Sequence, residues 1–197
     1  YTTLFRSVQR LLYVSSAEVY GQGGDRVTEE TPPHPVSPYG AAKLAAEWMI
    51  RTIYAGNGHR TIIVRPFSLY GSGMRADGVV GRIVQSIREN APLHLQTLVP
   101  VRDFLHISDL IDLILKLIEH PDPPVIVNGC SGTGISIGEL AEVALRLAGR
   151  RDLPRSTRAS PRPSDVSILV GEPSLANGLG WRPSTSLTKG LTDMIAS

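Results

Sequence analysis

Hydrophobic residues along the chain form short continuous runs that alternate with longer, helix-forming stretches. Residues 11–15 (LLYVS) and 61–65 (TIIVR) are apolar runs bounded by polar or turn-forming residues, which is typical of strands buried on both faces of a parallel sheet. Between them, residues 41–55 are rich in strong helix formers and end before the turn cluster at 56–58. The order strand, helix, strand predicts a right-handed βαβ unit, and therefore an α/β fold with a parallel sheet.

The same alternation continues beyond residue 70. Residues 124–127 (PVIV) are predicted to form a third buried strand. Amphipathic spacing and capping signals predict helices over residues 79–89, over 109–118 with Ser108 as the cap, from Ser136 with Glu139 completing a capping box, and after Ser186.

The composition is that of an ordinary globular protein, since 42% of the 197 residues are hydrophobic and 19% are charged. No apolar run approaches the roughly 18 residues needed to span a bilayer, and residues 1–10 lack the order of a signal peptide. The single cysteine, Cys130, excludes an internal disulfide, and the histidines show no metal-ligand spacing. We therefore expect a cytoplasmic protein with no membrane segment and no bound metal.

The weak positive charge is concentrated in one predicted loop. Five arginines lie between residues 150 and 162 in a segment that is rich in proline and arginine. Such a run is usually a solvated loop, but guanidinium groups also hold phosphate. A non-catalytic module that binds a polyanion through this loop is therefore one alternative function.

A tyrosine and a lysine stand four residues apart at the start of the long predicted helix. Ser37 suits the N-cap and Pro38 the first helical position, so Tyr39 and Lys43 share one helix face. A nearby ammonium favours the phenolate form of a tyrosine, which can then act as a general base toward an alcohol. By itself this spacing is unspecific, because a packed tyrosine and a solvated lysine produce the same pattern.

The loops after the first two predicted strands are candidate site loops, because ligands of parallel α/β sheets bind at the carboxyl ends of strands. Residues 15–18 (SSAE) follow the first strand, and residues 66–71 (PFSLYG) follow the second. We expect these two loops to lie close together.

Six fragments in order resemble one known family: LLYVSSAEVYG, SPYGAAKLAAE, TIIVRPFSLYG, VRDFLHISDL, RPSDV and LGWRPSTSLTKGL. They are similar to the extended short-chain dehydrogenase/reductase family, the NAD-dependent epimerases and dehydratases that act on nucleotide sugars. The likeness spans nearly all of residues 8–197. It implies the C-terminal part of a doubly wound, Rossmann-type parallel sheet with a small substrate-binding lobe. Residues 1–70 would be the second half of the NAD-binding domain and 71–197 mostly the lobe, with 103–149 returning to the sheet.

The resemblance also implies catalytic roles. Tyr39 corresponds to the base that takes a proton from a sugar hydroxyl, and Lys43 to the lysine that holds the nicotinamide ribose. Ser16 corresponds to the hydroxyl that bonds the reacting group and the tyrosine, and a hydroxyl can donate to one and accept from the other. Glu18 is a further catalytic candidate. The hydride would pass to NAD, with NADP not excluded.

Further residues are implied in binding. Arg102 and Arg162 match arginines that hold the substrate diphosphate, a task that suits a forked, permanently charged guanidinium. His106 matches a position that supports this arginine and starts the next helix, so we interpret it as structural. The implied cofactor residues are Ser15, Tyr39, Lys43 and Pro66, and the implied substrate residues are Phe67, Ser68, Val80, Arg102 and Arg162.

The two residues after Ser16 distinguish branches of the family. Sugar 4,6-dehydratases usually carry an aspartate and a glutamate there, whereas this chain has Ala17 and Glu18. Because half of the acid and base pair for eliminating water is absent, we favour an epimerase, and specifically a 4-epimerase. A nucleotide-sugar reductase or decarboxylase of the same family is the alternative.

A second departure from the family pattern concerns the front of the chain. The family begins with a strand and a G-x-x-G-x-x-G turn that place the cofactor pyrophosphate on a helix N-terminus, and nothing of this kind precedes Ser16. We expect the C-terminal portion of a longer enzyme, inactive by itself, with a truncation or foreign join near Arg6. Completion by another chain is the alternative. The full-length parent is expected to be a homodimer that binds a nucleotide-diphosphate sugar and no nucleic acid.

Overall fold

A computed structural model describes residues 10–54, 60–150, 152, 155–156 and 166–197. A 3₁₀ turn at Ala17–Tyr20 follows the first strand. Within the described ranges the strands are β1 (Arg10–Val14), β2 (Gly24–Val27), β3 (Arg60–Pro66), β4 (Ser68–Tyr70), β5 (His94–Leu95), β6 (Val101–His106), β7 (Ile126–Gly129), β8 (Gly134–Ser136), β9 (Arg155–Ser156) and β10 (Ile168–Gly171). The helices are α1 (Pro38–Tyr54), α2 (Val79–Arg88), α3 (Ile107–Glu119), α4 (Ile137–Leu147), α5 (Ser174–Gly178) and α6 (Leu187–Ala196).

Strands β1, β3 and β7 form a parallel sheet in that order, with β3 in the centre. Alternate residues of β3 point to opposite faces of this sheet. Ile62 and Val64 pack against α3 in one apolar core, whereas Arg65 contacts Glu47 of α1 on the other face. Helices therefore cover both faces, and the predicted α/β architecture with a parallel sheet is confirmed.

A second sheet contains β2, β10, β6 and β4 in that order, and β8 pairs antiparallel with β6. Only Phe67 separates the end of β3 from the start of β4, so the chain passes from the first sheet to the second at this residue, within one of the predicted site loops. Helices α2, α4 and α6 pack together around Ile83, Leu140 and Leu191, which are fully buried. This core covers one side of the second sheet, where Tyr70 of β4 and Phe104 of β6 belong to it.

The segment 103–149 is divided between these two sheets. Strand β7 joins β1 and β3, whereas β6 and β8 belong to the second sheet. Most of the arginine-rich loop lies outside the described residues. In the described ranges, no helix is long and apolar enough to cross a membrane, and no three His, Cys, Asp or Glu side chains are grouped as metal ligands.

One helix start differs from its prediction. Helix α3 begins at Ile107, and His106 is its N-cap, because the ring Nδ1 accepts a hydrogen bond from the Ser108 N–H at 3.3 Å. The prediction that Ser108 caps this helix is therefore wrong, whereas the interpretation that His106 starts it is confirmed. The capping box of Ser136 with Glu139 is also confirmed.

Candidate active site

The first turn of α1 is held against the loop that follows β1. Ser37 Oγ accepts a hydrogen bond from the Gly40 N–H at 3.0 Å, which confirms Ser37 as the N-cap, and Pro38 occupies the first helical position. A Cβ on Gly40 would lie 2.5 Å from the carbonyl oxygen of Glu18. Glycine therefore permits the close approach that brings Tyr39 beside the 3₁₀ turn.

Lys43 lies one turn after Tyr39 on the same face of α1. Its Nζ donates a hydrogen bond to the carbonyl oxygen of Val14 at the end of β1, at 2.9 Å. The same Nζ lies 5.8 Å from the centre of the Tyr39 ring and 5.1 Å from that of Tyr13. Because Tyr39 is 53% exposed, its phenol is accessible to a ligand with the ammonium close by.

Ser16 and Glu18 lie at the N-terminus of α1. Ser16 Oγ accepts a hydrogen bond from the Glu18 N–H at 3.1 Å, and Glu18 Oε2 accepts one from Ser37 Oγ at 2.7 Å. A carboxylate is stabilised at this end of a helix, where backbone N–H groups point outward. Glu18 therefore braces the start of α1 while its exposed side chain also faces the adjoining cavity.

The carboxyl ends of β1 and β3 open into a cavity of about 750 Å³, which we call the main cleft. Its wall combines both predicted site loops with the start of α1 and with β6. Lys43 is not among the residues that line this cavity, but its Nζ lies 5.8 Å from the centre of the Tyr39 ring, which does line it. The implied site residues that line the main cleft are Ser15, Ser16, Glu18, Tyr39, Pro66, Phe67, Ser68 and Arg102.

A second cavity of about 430 Å³, which we call the outer cavity, adjoins the main cleft. The two share Ser68, Leu69, Asp77 and Arg102, and the outer cavity extends to Arg82 on α2. Tyr39 belongs only to the main cleft, so it stands at the opposite end from Arg82. Cavities of this size accommodate an elongated small molecule.

The charges along the two cavities differ from one end to the other. Among the described lining residues, the main cleft carries the carboxylate of Glu18 near Tyr39, whereas Arg82 and Arg102 supply positive charge farther out. Asp77 lies where the cavities meet. Guanidinium groups favour an anion such as a phosphate, so the outer cavity, which both arginines line, is the better place for one.

Arg102 is oriented by backbone contacts. Its Nη1 donates to the carbonyl oxygen of Val101 at 2.9 Å, and its Nη2 donates to that of Val166 at 2.7 Å. These bonds tie the guanidinium to β6 and to the segment before β10. The side chain therefore reaches the cleft in a defined direction.

Two implied substrate residues lie outside this arrangement. Val80 is fully buried in the core of α2, α4 and α6, which gives its side chain no access to a ligand in the cleft, and we correct it to a core residue. Val79 lines the outer cavity instead, because successive helical residues point about 100° apart. Arg162 lies outside the described residues.

Asp77 and Arg82 are cleft residues that the sequence analysis did not single out. Arg82 lies three residues after Val79 on the exposed face of α2, so the amphipathic pattern places it on the surface beside the cavity-facing residue. Asp77 lies in a loop, where no periodicity indicates the direction of a side chain. Its position between the main cleft, which Tyr39 lines, and the outer cavity, which Arg82 lines, is visible only in the folded structure.

Residues 3–129 match the profile of the NAD dependent epimerase/dehydratase family. The matched range is more than half of the chain. The chain belongs to this family. Its relatives include nucleotide-sugar epimerases, dehydratases and reductases, so the resemblance to the extended short-chain dehydrogenase/reductase family is confirmed.

The comparisons also show how much of each relative the chain covers. GDP-6-deoxy-D-mannose reductase from Pseudomonas aeruginosa is 30% identical over an alignment 200 residues long, which covers 94% of this chain and 64% of that protein. UDP-glucose 4-epimerase from Thermotoga maritima, solved with UDP-glucose, superposes with a TM-score of 0.89 at 25% identity, over 96% of this chain and 63% of the other. Pseudomonas aeruginosa RMD, solved with NADPH, gives 0.87 at 27% identity, over 96% and 66%. The chain spans 54–64% of the length of the curated relatives it matches.

A nicotinamide cofactor is a property of this family, and its solved relatives include complexes with NAD and with NADPH. The predicted cofactor class is therefore confirmed. The main cleft fits the nicotinamide end of such a group, since Pro66 and Phe67 offer apolar surface to a flat ring. The ammonium of Lys43, beside Tyr39, is a donor suited to ribose hydroxyls.

Proposed function

We propose that this chain carries the catalytic and substrate-binding part of an NAD-dependent enzyme that transiently oxidises a hydroxyl of a nucleotide-diphosphate sugar. One observation carries the proposal: Tyr39, with Lys43 close to it, and Arg102 line the same cleft. The tyrosine end is suited to taking a proton from an alcohol, and the arginine end to binding a diphosphate. A nucleotide sugar presents both groups in one elongated molecule.

Tyr39 acts as the proton acceptor in this proposal. Tyr39 removes the proton of the sugar hydroxyl, and the ammonium of Lys43 lies 5.8 Å from the centre of its ring. Ser16 lies in the same wall and orients the reacting oxygen, because its hydroxyl can donate to the substrate while it accepts from another group.

The nicotinamide end of the cofactor would lie against Pro66 and Phe67, with Lys43 directed at its ribose. The chemistry that this group supplies when bound is acceptance of a hydride from the carbon that bears the reacting hydroxyl. Removal of the hydroxyl proton by Tyr39 and departure of the hydride together convert the alcohol into a ketone. The buried Phe67 ring helps to exclude water from this place.

The outcome we favour is 4-epimerisation. In an epimerase the ketone would be reduced again on its opposite face, with Tyr39 returning the proton to the sugar oxygen, so no hydroxyl leaves the sugar and no further acid is needed to protonate a leaving group. Ala17 lines the main cleft where a dehydratase would carry an aspartate, and its methyl group donates no proton. A reductase is the second candidate within the family, because a relative at 30% identity is a reductase. A decarboxylase is the other alternative that the resemblance implies, and the presence of Glu18 leaves it open.

Arg102→Ala is expected to weaken binding of nucleotide-diphosphate sugars by about 1.5–3 kcal/mol, the usual range for hydrogen bonds to a charged group. Calorimetric titration of the full-length protein with UDP-glucose and with glucose measures the effect. Arg26→Ala is the matched control, because Arg26 is an exposed arginine that pairs with Glu172 outside the cleft walls. If both ligands lose the same affinity, Arg102 supports the fold and does not bind the diphosphate.

A polyanion-binding module is the rival from another class. Its binding site would be the arginine-rich loop, most of which lies outside the described residues. Binding through phosphate contacts weakens steeply with salt, whereas binding of a nucleotide sugar in the cleft depends on the identity of the sugar and base. A ligand panel at two salt concentrations separates the two functions.

The 197-residue chain by itself is expected to bind NAD too weakly to measure. Its sequence contains no G-x-x-G-x-x-G turn to hold the pyrophosphate at a helix N-terminus, and Tyr39 and Lys43 serve only the nicotinamide end. Calorimetry with NAD, together with thermal unfolding of the isolated chain, tests this expectation. Micromolar affinity with a cooperative transition would show that the chain binds the pyrophosphate by another route.

A homodimer of the full-length protein remains a prediction. Trp48, Met49 and Ile53 on α1 are 58%, 63% and 50% exposed, and they form an apolar patch that a second copy can cover. The patch lies on the helix that carries Tyr39, so the predicted dimer would form close to the proposed site.

A further inference from the structure

A buried ion pair lies next to the wall of the main cleft. Glu47 of α1 and Arg65 of β3 are only 2% and 3% exposed. Arg65 Nε donates to Glu47 Oε1 at 3.0 Å, and Arg65 Nη2 donates to Glu47 Oε2 at 2.5 Å. Two parallel bonds between planar groups restrict both the distance and the rotation of the elements that carry them.

The ion pair is joined to the cleft wall through Ser15. Ser15 Oγ donates to Glu47 Oε1 at 2.5 Å, and Ser15 itself lines the main cleft beside Ser16. The Ser15 N–H donates to the carbonyl oxygen of Val64 at 2.7 Å. The backbone that presents Ser16 is therefore fixed both by β3 and by Glu47.

Arg65 is held from its other side as well. Its guanidinium lies 4.8 Å from the centre of the Tyr20 ring, and the Tyr20 hydroxyl donates to Asn128 Oδ1 at 2.8 Å. Asn128 Nδ2 in turn donates to the carbonyl oxygen of Val27 at 3.0 Å. Burial raises the pKa of Tyr20 to about 12, with Arg65 acting in the opposite direction, so the hydroxyl keeps its proton at neutral pH. These contacts hold the guanidinium in one orientation on β3.

One helix, α1, carries both proposed catalytic side chains and Glu47. Tyr39, Lys43 and Glu47 follow each other at intervals of four residues, so Glu47 lies about 12 Å along the axis from Tyr39. A rotation of α1 by about 20° would displace its surface by roughly 2 Å. A misplacement of about 1 Å can cost a reaction about 100-fold, so the rotation of this helix matters for catalysis.

We propose that Glu47 and Arg65 are positioning residues that set the rotation and axial position of α1 against β3, and thereby place Tyr39 and Lys43 opposite Ser16. This proposal rests on the proposed function, because it concerns the reaction assigned to Tyr39. Buried ion pairs contribute little net stability, since desolvation offsets their attraction. Geometry is therefore the better explanation for the pair at this place.

Glu47→Gln in the full-length protein tests the proposal. We expect kcat for sugar oxidation to fall by about 10- to 100-fold while KM for the nucleotide sugar stays within about threefold, because the diphosphate end is untouched. Asp109→Asn is the control for a buried carboxylate, since Asp109 is 1% exposed and accepts hydrogen bonds from Ser184 and Thr185 on the opposite side of the sheet. It should lower thermal stability and leave kcat unchanged.

A double variant separates positioning from stability. Glu47→Leu combined with Arg65→Met replaces the ion pair with apolar side chains of similar volume, which is often neutral or stabilising. We expect this variant to regain thermal stability but to keep the low kcat, because the anchor to Ser15 is lost. Wild-type kcat at wild-type stability would overturn the proposal.

The third measurement does not depend on activity. The measurement is an NMR spectrum of protein that carries an isotope label in its tyrosine rings. The Tyr39 resonance is identified as the one that is missing from the spectrum of Tyr39→Phe. It should shift in Glu47→Gln and stay in place in Asp109→Asn. If the wild-type protein oxidises no nucleotide sugar, the proposed function fails while this resonance still tests the positioning. A Tyr39 resonance that is unchanged in Glu47→Gln contradicts the positioning proposal.

Discussion

Tyr39→Phe in the full-length protein is expected to lower kcat for sugar oxidation by about 1,000-fold, within the range that a positioned general base contributes. The substitution removes the proposed base and little contact area. Binding of the nucleotide sugar should stay within about tenfold, because Arg102 at the other end of the cleft is unchanged. Single-turnover absorbance of the reduced nicotinamide measures the first quantity, and calorimetry measures the second.

Tyr13→Phe is the matched control for this experiment. The Tyr13 ring centre lies 5.1 Å from Lys43 Nζ, closer than that of Tyr39 at 5.8 Å, so the substitution removes a hydroxyl from the same neighbourhood without changing a residue that lines the cleft. Its activity and its thermal unfolding should resemble those of the wild type. Full activity in Tyr39→Phe would show that Tyr39 is not the general base.

The part of the site carried by α1 was predictable because its determinants are local. A serine cap, a proline at the first helical position and a run of helix formers lie within a few residues, and the cap bond at Gly40 confirms them. Helical geometry then places Tyr39 and Lys43 on one face without knowledge of the rest of the fold. The buried strand β3 was visible as well, because residues 62–66 are buried and the apolar run is continuous. The expectation that β1 is buried on both faces is wrong in the described part of the chain, because β1 lies at the edge of its sheet, its first four residues are half-buried and Val14 is 38% exposed.

The second sheet was not predictable in the same way. Strands β2 and β10 have four residues each and pair across more than half of the chain, so neither shows a local periodicity. The direction of Asp77 and the core position of Val80 depend on this sheet and its helices. The resemblance to a family suggested that Val80 meets the substrate, but packing between α2 and α4 determines where it points.

The buried pair of Glu47 and Arg65 is an intermediate case. A charge inside an apolar strand such as TIIVR requires a partner, because an unpaired buried charge is costly. Glu47 continues the four-residue spacing of Tyr39 and Lys43, which is a signal that could have identified it. The sequence cannot show that α1 lies over β3 at the register that brings the two together, so the pair emerges only from the fold.

Asp103 lies next to Arg102 on β6, and we expect its replacement to lower the free energy of unfolding more than any other substitution discussed here. Its fully buried carboxylate accepts four hydrogen bonds: from the Ser131 N–H at 2.8 Å, Ser131 Oγ at 2.6 Å, the Gly132 N–H at 2.8 Å and the Gly171 N–H at 3.3 Å. Burial raises the pKa of the Asp103 carboxyl, and these bonds counteract the rise. One side chain thus ties β6 to the turn after β7 and to β10.

Asp103→Ala is expected to lower the free energy of unfolding by about 3–5 kcal/mol, because it leaves three backbone N–H groups without an acceptor at about 1–3 kcal/mol each. Asp103→Asn should also be destabilising, since its amide would turn a donor toward Gly132 and Gly171. Urea unfolding measures both losses, provided that the free energy of unfolding falls with urea concentration at the same slope as in the wild type.

Glu139→Ala is the control for the loss of a carboxylate acceptor. Glu139 accepts hydrogen bonds from the N–H and hydroxyl of Ser136, but it is exposed, so water can replace it and the loss should be small. Because Arg102 adjoins Asp103 on β6, affinity for the nucleotide sugar should fall in the Asp103 variants that remain folded, and not in Glu139→Ala. An Asp103→Ala loss no larger than that of Glu139→Ala would mean that these N–H groups find other acceptors. The orientation of Arg102 would then depend on its own bonds to Val101 and Val166, and not on the carboxylate beside it.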